Sequence, residues 1–234
     1  MKTTSDLKKV VYTAITANKD IIVEDQCTEG ADFVAFLDRV TNPDGIAKTD
    51  SWYIKRLHAV PNVRKEDYVR QAKMYKMLPH VYFPNAEYSL WMDGNLRLLV
   101  PLDQLIDKYL KNHDIAFFKH PLRDCIYDEA QVCRELLLDD VFIMELQMKR
   151  YREQGYPEHN GLIDGSVILR RHTKKVKEFC TAWNLEISRF SRRDQLSFNY
   201  LAWKLGLEYE VMEGLNHVGT NNYFEMIPHL RGRN

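Results

Sequence analysis

The chain has 234 residues, of which 45% are hydrophobic and 28% are charged, so its composition is that of a globular protein and excludes a disordered one. Its 33 basic residues balance 33 acidic ones, which gives no support for binding to nucleic acid or to a membrane surface. The cysteines form no Cys-x-x-Cys pair, so the sequence predicts neither a zinc site nor a disulfide framework, and a reducing compartment is the simpler interpretation.

The sequence also lacks an apolar signal region near its amino terminus and any apolar run long enough to span a membrane. We therefore expect a cytoplasmic or otherwise soluble protein with no signal peptide and no membrane anchor. The length fits one large domain or two small ones. Since no linker, repeat or low-complexity segment interrupts it, we expect a single domain.

Segments rich in β-branched and aromatic residues predict three strands early in the chain, at Lys9–Thr16, Asp32–Asp38 and Ser51–Lys55. A helix is predicted from about Arg64 to Leu78, where apolar residues recur at helical spacing, and Pro79 ends it. The next apolar run, Tyr88–Met92, stops at an oxygen-rich turn.

The remaining elements are predicted as a helix over Leu102–Tyr109, a strand at Ile115–Phe118, a helical segment over Tyr127–Gln154, a strand at Ser166–Arg170, helices over Lys174–Phe190 and Asp194–Leu205, and a strand at Glu208–Met212. For the segment Tyr127–Gln154, a break near Asp139-Asp140 is the alternative to one continuous helix. The tail from Gly214 onward is predicted as a loop.

Strands and helices alternate along most of the chain, which predicts an α/β domain built on a largely parallel sheet. Ligands bind beyond the carboxyl ends of the strands in such sheets. The residues and loops that follow predicted strands are Asp38, Asp93, His120 and the loops after Thr16 and Arg170.

The turn after the Tyr88–Met92 run carries two oxygen-bearing side chains, Asp93 and Asn95. On an extended backbone they point to the same side, and Gly94 between them permits a tight turn and the close approach of a ligand. Carboxylate and amide oxygens at a strand end can bind a divalent cation and, through it, a diphosphate. We interpret the turn as a variant of the Asp-any-Asp metal site of nucleotide-sugar glycosyltransferases, with ordinary turn chemistry as the alternative.

Motifs of three other enzyme classes are missing from the sequence. There is no Gly-x-Gly-x-x-Gly after the first strand, no phosphate loop ending in Gly-Lys-Ser/Thr and no Gly-x-Ser-x-Gly elbow. These absences disfavour a dinucleotide-dependent dehydrogenase, a P-loop kinase or ATPase, and a serine hydrolase of the α/β type.

Short motifs between Lys55 and Tyr200 form an ordered series. They are Lys76-Met-Leu-Pro79-His80, Ser89-Leu-Trp91-Met-Asp93-Gly94-Asn95, His120-Pro-Leu-Arg123, Tyr127-Asp-Glu129-Ala130, Tyr151 with Gly155-Tyr-Pro157, Gly161-Leu162, Ile168-Leu-Arg170 and Arg193-Asp194-Gln195-Leu-Ser197-Phe198. In this order and spacing the sequence resembles the glycosyltransferase-like family that includes plant mucilage-related proteins. The resemblance implies a GT-A fold with one mixed, mostly parallel sheet flanked by helices. Its nucleotide-binding half would cover about residues 1–100, and its acceptor half about residues 101–234.

The Asp194-Gln195 block and the late His217-Val-Gly219 are more distantly similar to glycogenin-type retaining transferases, in which a second-half histidine joins the Asp-x-Asp pair on manganese. This resemblance implies Asp93, Asn95 and His217 as ligands of Mn²⁺ or Mg²⁺, and the imidazole favours Mn²⁺. A solvated loop histidine is the alternative for His217. Asn95 departs from the pattern, since a second aspartate is common there. Its neutral side chain lowers the charge of the site, so we expect either a weaker affinity for the metal or an ion that binds mainly together with the nucleotide.

Other residues are assigned to the nucleotide-sugar donor. Thr13, Thr16 and Asp38 are expected, by fold analogy alone, to meet the nucleoside. Lys76 and Arg123 are candidates for contacts with the diphosphate or the sugar, because cations stabilise the charge of the leaving group. For Lys76 the alternative is a favourable interaction with the helix dipole.

Two histidines and three polar residues complete the candidates. His80 is placed with the donor site, but for both His80 and His120 a packing histidine is the alternative. Asp194 is a candidate general base or electrostatic stabiliser, and its alternative is a helix N-cap. Gln195 is a candidate for hydrogen bonding to the sugar, and Asp164 for contact with the donor sugar or the acceptor, with a turn aspartate as its alternative.

The sequence therefore predicts a metal-dependent glycosyltransferase that moves a sugar from a nucleoside diphosphate, expected to be UDP, to a glycan or another hydroxyl acceptor. No nucleic-acid partner and no membrane span are expected. A non-catalytic sugar- or partner-binding module on the same fold is the first alternative. A metal-dependent hydrolase that uses the same cleft on water is the second.

Overall fold

A computed structural model describes residues 3–59, 63–64, 67–216 and 220–229. Within these ranges the strands are β1 (Lys9–Ile15), β2 (Asp32–Leu37), β3 (Tyr53–Arg56), β4 (Tyr88–Met92), β5 (Leu96–Leu98), β6 (Ile115–Lys119), β7 (Ile163–Arg171), β8 (Glu210–Met212) and β9 (Phe224–Met226). The α-helices are α1 (Tyr68–Met77), α2 (Pro79–Tyr82), α3 (Leu102–Tyr109), α4 (Ile126–Glu135), α5 (Val141–Glu153), α6 (Lys174–Arg189) and α7 (Gln195–Leu205), and a 3₁₀ turn covers Thr4–Asp6.

The central sheet has seven strands in the order β3-β2-β1-β4-β7-β6-β8. Neighbouring strands are parallel except at β7, which is antiparallel to both β4 and β6. The predicted α/β class, with a mixed and mostly parallel sheet flanked by helices, is therefore confirmed. Strands β5 and β9 form a separate antiparallel pair, so the prediction of a loop from Gly214 onward is wrong at β9.

Strand β1 shows how both faces of the sheet are covered. Val10 and Tyr12 belong to a hydrophobic cluster with side chains of α1, α4, α6 and α7, whereas Val11 and Ile15 belong to a second cluster with side chains of α3. Successive side chains of a strand point to opposite faces, so a strand that is covered on both faces must be apolar throughout. The four residues Ile115–Phe118 of β6 are completely buried for the same reason.

Side-chain caps fix where three helices begin. Asp67 accepts a hydrogen bond from the Arg70 amide at 3.1 Å at the start of α1, and Thr173 caps α6 in the same way. Asp140 accepts from the Ile143 amide at 3.0 Å and starts α5, so the alternative of a break near Asp139-Asp140 is the one observed. None of the helices within the described ranges is both long and apolar enough to cross a lipid bilayer.

The direction of β7 decides which of its ends lies on the ligand side of the sheet. Because Val167 pairs with Met92 and Arg171 pairs with Tyr88, β7 begins at the edge where β4 ends. The loop after Arg170 therefore lies at the opposite edge, and its predicted place on the ligand side is wrong. A strand buried on both faces has the same apolar pattern in either direction, so its direction cannot be predicted from that pattern.

Candidate active site

A cavity of about 1060 Å³ opens at the edge where β1 and β4 end and β7 begins. Its walls include Thr16 after β1, Asp93 after β4 and Asp164 at the start of β7. The stretch from Phe224 to His229 forms another wall. Ligand sites typically have volumes of about 300–1,000 Å³, and in α/β sheets they lie at this edge. The cavity is therefore large enough and correctly placed for a nucleotide-sized ligand.

Asp93 projects into the cavity, and one hydrogen bond orients its carboxylate. Its side chain is 46% exposed, and its Oδ1 accepts a hydrogen bond from the Trp91 indole nitrogen at 2.9 Å. Its backbone amide donates to the Ser166 carbonyl at 2.9 Å, which ties the turn to β7. The expectation that Asp93 faces a ligand crevice is consistent with this geometry.

The rest of the turn packs tightly behind Asp93. The amide nitrogen of buried Asn95 donates to the Ile227 carbonyl at 3.2 Å, so its amide oxygen is the atom with metal-ligand chemistry. A Cβ atom placed on Gly94 would lie 2.6 Å from Cδ1 of Ile15. Glycine therefore lets the turn lie directly against the end of β1, where both Gly94 and Asn95 line the cavity.

A cluster of two lysines and one aspartate lies beside Asp93. The Nζ atoms of Lys76 and Lys73 are 2.6 Å and 2.8 Å from Oδ2 of Asp194. The Lys76 Nζ is also 3.9 Å from Oδ1 of Asp93, so Lys76 lies between the two carboxylates. Lys73 and Lys76 are three residues apart in α1 and share one helix face. All four residues line the cavity.

Burial and charge pairing set the protonation of this cluster. Burial would raise the pKa of Asp194, but Lys73 and Lys76 outweigh it and hold that pKa well below its usual range. Burial lowers the pKa of Lys73 to about 8. Burial acts on Lys76 as well, but Asp194 and Asp93 outweigh it and keep its pKa above the ordinary value. At neutral pH the two lysines therefore carry more positive charge than Asp194 neutralises.

The backbone of Lys76 is held from behind by β1 and β7. The Tyr12 hydroxyl and the guanidinium of completely buried Arg170 each donate to the Lys76 carbonyl at 3.0 Å. The guanidinium also donates to the Tyr12 oxygen at 3.0 Å. This bonding fixes the last turn of α1, and with it the position of the Lys76 ammonium group.

The residues around Asp194 are also ordered. Asp194 occupies the N-cap position of α7, as the alternative predicts, but its side chain accepts no capping hydrogen bond there. Its carboxylate pairs with the lysines instead. Gln195 donates to the Ile163 carbonyl at 3.1 Å and accepts from the Arg193 guanidinium at 3.1 Å. Buried Asp164 accepts from the Ser166 amide at 2.8 Å and lines the cavity, as do Gln195 and Arg193.

The residues predicted to meet the nucleoside divide into two groups. Thr16 lines the cavity, and its hydroxyl donates to the Tyr68 carbonyl at 3.0 Å. Thr13 is completely buried, and Asp38 accepts from the amides of Ala17 and Thr41 at 2.8 Å each. Neither Thr13 nor Asp38 is among the described residues of the cavity wall. Asp38 shapes the loop after β1 from outside the cavity.

Three further candidates lie away from the described wall of the cavity, namely His80, His120 and Arg123. Arg123 donates to Oε2 of buried Glu129 at 2.7 Å, and the His120 Nε2 is 3.6 Å from the same atom. This geometry agrees with the packing alternative for His120. His217, the third predicted metal ligand, lies outside the described residues.

Sequence reasoning missed several residues of the cavity. Lys73 was detectable, because it precedes Lys76 by three positions and shares its helix face. Asp20 and His229 also line the cavity, and the Nδ1 of His229 lies 2.5 Å from Oδ2 of Asp20. They are 209 positions apart, and no local pattern connects them.

Ammonium groups, a carboxylate and an amide oxygen at the ligand-binding edge of an α/β sheet are suited to a phosphorylated nucleotide and a divalent cation. The cavity therefore has the side chains expected of a protein that binds a phosphorylated nucleotide together with a divalent cation. Residues 2–226 match the family described as "TOD1/MUCI70, glycosyltransferase-like domain", and the chain belongs to this family. The family predicted from the ordered motifs is thereby confirmed.

Two relatives from Arabidopsis thaliana show how much of a longer protein the chain matches. One, described as "Probable hexosyltransferase MUCI70", is 32% identical over an alignment of 181 residues, and the match covers 73% of this chain and 31% of the relative. The other, described as "Alkaline ceramidase TOD1", is 33% identical over an alignment of 138 residues, and the match covers 54% of this chain and 30% of the relative. The chain thus spans less than a third of the length of these curated relatives.

Solved structures with a similar chain path are also glycosyltransferases by description. The bifunctional glycosyltransferase WbbM, without ligand, has a TM-score of 0.49 at 12% identity and covers 86% of this chain and 38% of its own. The galactosyltransferase LgtC, in complex with donor and acceptor sugar analogues, has a TM-score of 0.46 at 11% identity, and the match covers 82% of this chain and 70% of LgtC. At these scores the family assignment depends on the sequence match.

Proposed function

We propose that the cavity binds a nucleoside-diphosphate sugar, with UDP as the nucleotide, and transfers the sugar to a hydroxyl group of a glycan or a small acceptor. The observation that carries this proposal is the position of Lys76 between the carboxylates of Asp93 and Asp194, with Lys73 beside it. An anion in the cavity would meet two ammonium groups that are already fixed in place. The division into a nucleotide-binding half before about residue 100 and an acceptor half after it stays part of the proposal.

The residues at the end of β4 fit a divalent cation. The Asp93 carboxylate is half exposed, and the Asn95 amide can offer an oxygen, which is the donor chemistry that Mg²⁺ and Mn²⁺ prefer. Such an ion would neutralise charge on the diphosphate as the sugar leaves. Asp93 and Asn95 are the proposed ligands, and His217 stays a predicted third one.

The lysines are proposed to stabilise the leaving diphosphate. Charged donors that are held in place before the reaction need no reorganisation when negative charge develops, which is how such groups accelerate transfer. A carboxylate with a strongly lowered pKa is a weak base, so we assign Asp194 to holding Lys73 and Lys76 and not to removing the acceptor proton. Asp164 and Gln195 stay candidates for contacts with the sugar or the acceptor.

Ligand-dependent thermal unfolding tests this proposal. UDP with Mn²⁺ at about 100 times its dissociation constant should stabilise the protein by about 2.7 kcal/mol, or roughly 5–10 °C in Tm for a domain of this size. UDP without metal, GDP and CMP should give much smaller shifts. If no nucleotide shifts Tm with or without Mn²⁺, the catalytic proposal fails and the non-catalytic binding module is favoured.

A hydrolase is the second candidate, because one relative is described as an alkaline ceramidase. An assay that follows both released sugar and glycosylated product separates the two reactions. Transfer requires an acceptor and should increase with its concentration, whereas hydrolysis releases sugar into water without one. Free sugar formed at the same rate with and without acceptor would favour hydrolysis of the donor, whereas fatty acid released from ceramide would favour the amide hydrolysis that the relative's description names.

The affinity for UDP with Mn²⁺ is expected to fall by about tenfold as the pH rises through the pKa of Lys73, because a charged hydrogen bond to the diphosphate is lost. That pKa is about 8, so the lysine is charged below this value and neutral above it. Calorimetric titrations on both sides of this pH measure the change. Lys73→Arg is the matched control, since a guanidinium stays charged and should flatten the profile. A profile that falls equally in both proteins would exclude Lys73 as its cause.

A further inference from the structure

A second group of metal-ligating side chains lies where α4 begins, outside the described wall of the candidate active site. Ligand atoms of Cys125, Asp128 and His159 all lie within 4.8 Å of one another. Cys125 is 2% exposed and forms the floor of this group, while Asp128 and His159 are exposed to solvent. A fourth residue, Asp124, places its Oδ1 2.8 Å from the Nδ1 of His159.

We propose that these residues form a zinc site. Its three ligands are the Cys125 thiolate, the His159 imidazole and the Asp128 carboxylate, and Asp124 supports the histidine. Sulfur and nitrogen ligands with one carboxylate suit Zn²⁺, whereas Mg²⁺ and Ca²⁺ prefer oxygen ligands only. A carboxylate beside a ligating histidine is the usual way in which proteins orient the imidazole ring. Three protein ligands leave a fourth tetrahedral position for water or another ligand.

The local fold explains why the ligands meet. Cys125 precedes the first residue of α4 and Asp128 lies in its first turn, so residues three apart face the same side. His159 belongs to the loop between α5 and β7, and its backbone adopts a left-handed φ of 52°. Histidine tolerates this region better than most residues do, at some conformational cost. The loop thus places the ring against the start of α4.

Metal binding at this site should depend on pH. The Asp124 carboxylate lies 2.8 Å from the Nδ1 of His159, which leaves the Nε2 atom of the ring for the metal. Binding breaks the S–H bond of Cys125, forms an S–Zn bond and releases the proton to solvent, so affinity should increase with pH.

Zinc at this position would link α4 to the loop that leads into β7. Asp164 of the cavity lies close to the beginning of β7, five residues after His159. An ion shared by both segments would restrict the loop and increase the free energy of unfolding, since it binds the native state in preference to the unfolded one. The proposal does not depend on sugar transfer, and its test has no step that requires turnover.

Cobalt(II) is the probe for the experiment, because a thiolate–Co²⁺ bond gives charge-transfer absorption in the near ultraviolet. The full chain, reduced and free of metal, should develop this band on titration with Co²⁺, saturate at one ion per chain, and lose the band when Zn²⁺ is added. Cys125→Ser and His159→Asn should abolish the band at the same concentrations. Asp124→Asn should weaken Co²⁺ binding by about 10–100-fold, as expected for a residue that orients a ligand.

The choice of variants separates loss of the metal ligands from loss of the fold. Asparagine adopts positive φ readily, so His159→Asn should fold at least as well as the parent while lacking the ring nitrogen. Cys27→Ser is the matched control, because Cys27 lies elsewhere in the fold and should leave the band unchanged. Asp93→Ala should also retain the band, since the proposed ligands at the donor site contain no sulfur. Absence of a thiolate band in the parent, or its persistence in Cys125→Ser, would overturn the zinc site.

Discussion

Asp93→Ala is expected to lower metal-dependent sugar transfer by at least about 100-fold, the scale seen when a preorganised electrostatic contact is removed. The carboxylate is half exposed in the cavity and 3.9 Å from the Lys76 ammonium group, so its loss removes the proposed metal ligand and one partner of Lys76. Initial rates with a UDP-sugar donor across a range of Mn²⁺ concentrations measure the effect. Full activity in Asp93→Ala would remove this residue from the mechanism.

The controls must separate loss of the metal from loss of structure. Asp93 also accepts a hydrogen bond from the buried Trp91 indole, and alanine leaves that donor without its acceptor. Asp93→Asn keeps an oxygen for Trp91 but removes the charge. It should therefore fold like the parent and still lose the Mn²⁺-dependent sugar transfer. Asp25→Asn alters a surface carboxylate that is 88% exposed, and it should leave both stability and activity unchanged.

Much of the fold could be predicted because strands buried on both faces have a simple sequence signature. The apolar runs of β1 and β6 are recognisable for this reason. Helix α1 is recognisable from its helical spacing and ends just before Pro79. Strand β7 was found, but its direction was not, because the apolar pattern is the same when the strand is reversed. Strand β9 has three residues and pairs with β5 more than 120 positions away, so no local pattern marked it.

The candidate site was predictable where a motif occupies consecutive positions. The turn at residues 93–95 and Lys76 were found in this way, and both line the cavity. Asp194 was found, but its contacts were not, because an acid before a helix has the local signature of an N-cap. The two ion pairs that occupy its carboxylate come from α1, more than 110 positions earlier. For Asp38 the error is the opposite one. Its position at a strand end predicts contact with a ligand, but its oxygens accept hydrogen bonds from backbone amides instead.

The pairing of one buried carboxylate with two lysines suggests how the site stays ready for an anion. Without Asp194, two ammonium groups would be buried close together, and burial would favour their neutral forms. With it, Lys76 stays charged and Lys73 is charged up to about pH 8. The aspartate therefore preserves the positive charge that the proposed diphosphate ligand would need, and its own removal should have a structural effect.

Asp194→Asn is expected to lower the free energy of unfolding by about 3–5 kcal/mol at neutral pH, because it leaves buried charges without their partner. The difference from the parent should shrink as the pH falls below about 4, the ordinary pKa of aspartate. The sign follows from the lowered pKa in the folded protein: the stabilisation is complete above the unfolded-state pKa and is lost as the pH falls through the folded-state pKa. Urea unfolding at neutral and acidic pH measures both effects.

The double variant Lys73→Met with Asp194→Asn provides the matching test of the cause. It removes one of the two buried ammonium groups together with the carboxylate, so it should recover part of the stability that Asp194→Asn loses. Asp194→Asn should also bind UDP with Mn²⁺ more weakly, since Lys76 loses the partner that is 2.6 Å away. If Asp194→Asn instead were as stable as the parent and bound UDP normally while turnover alone disappeared, Asp194 would be the base that takes the acceptor proton.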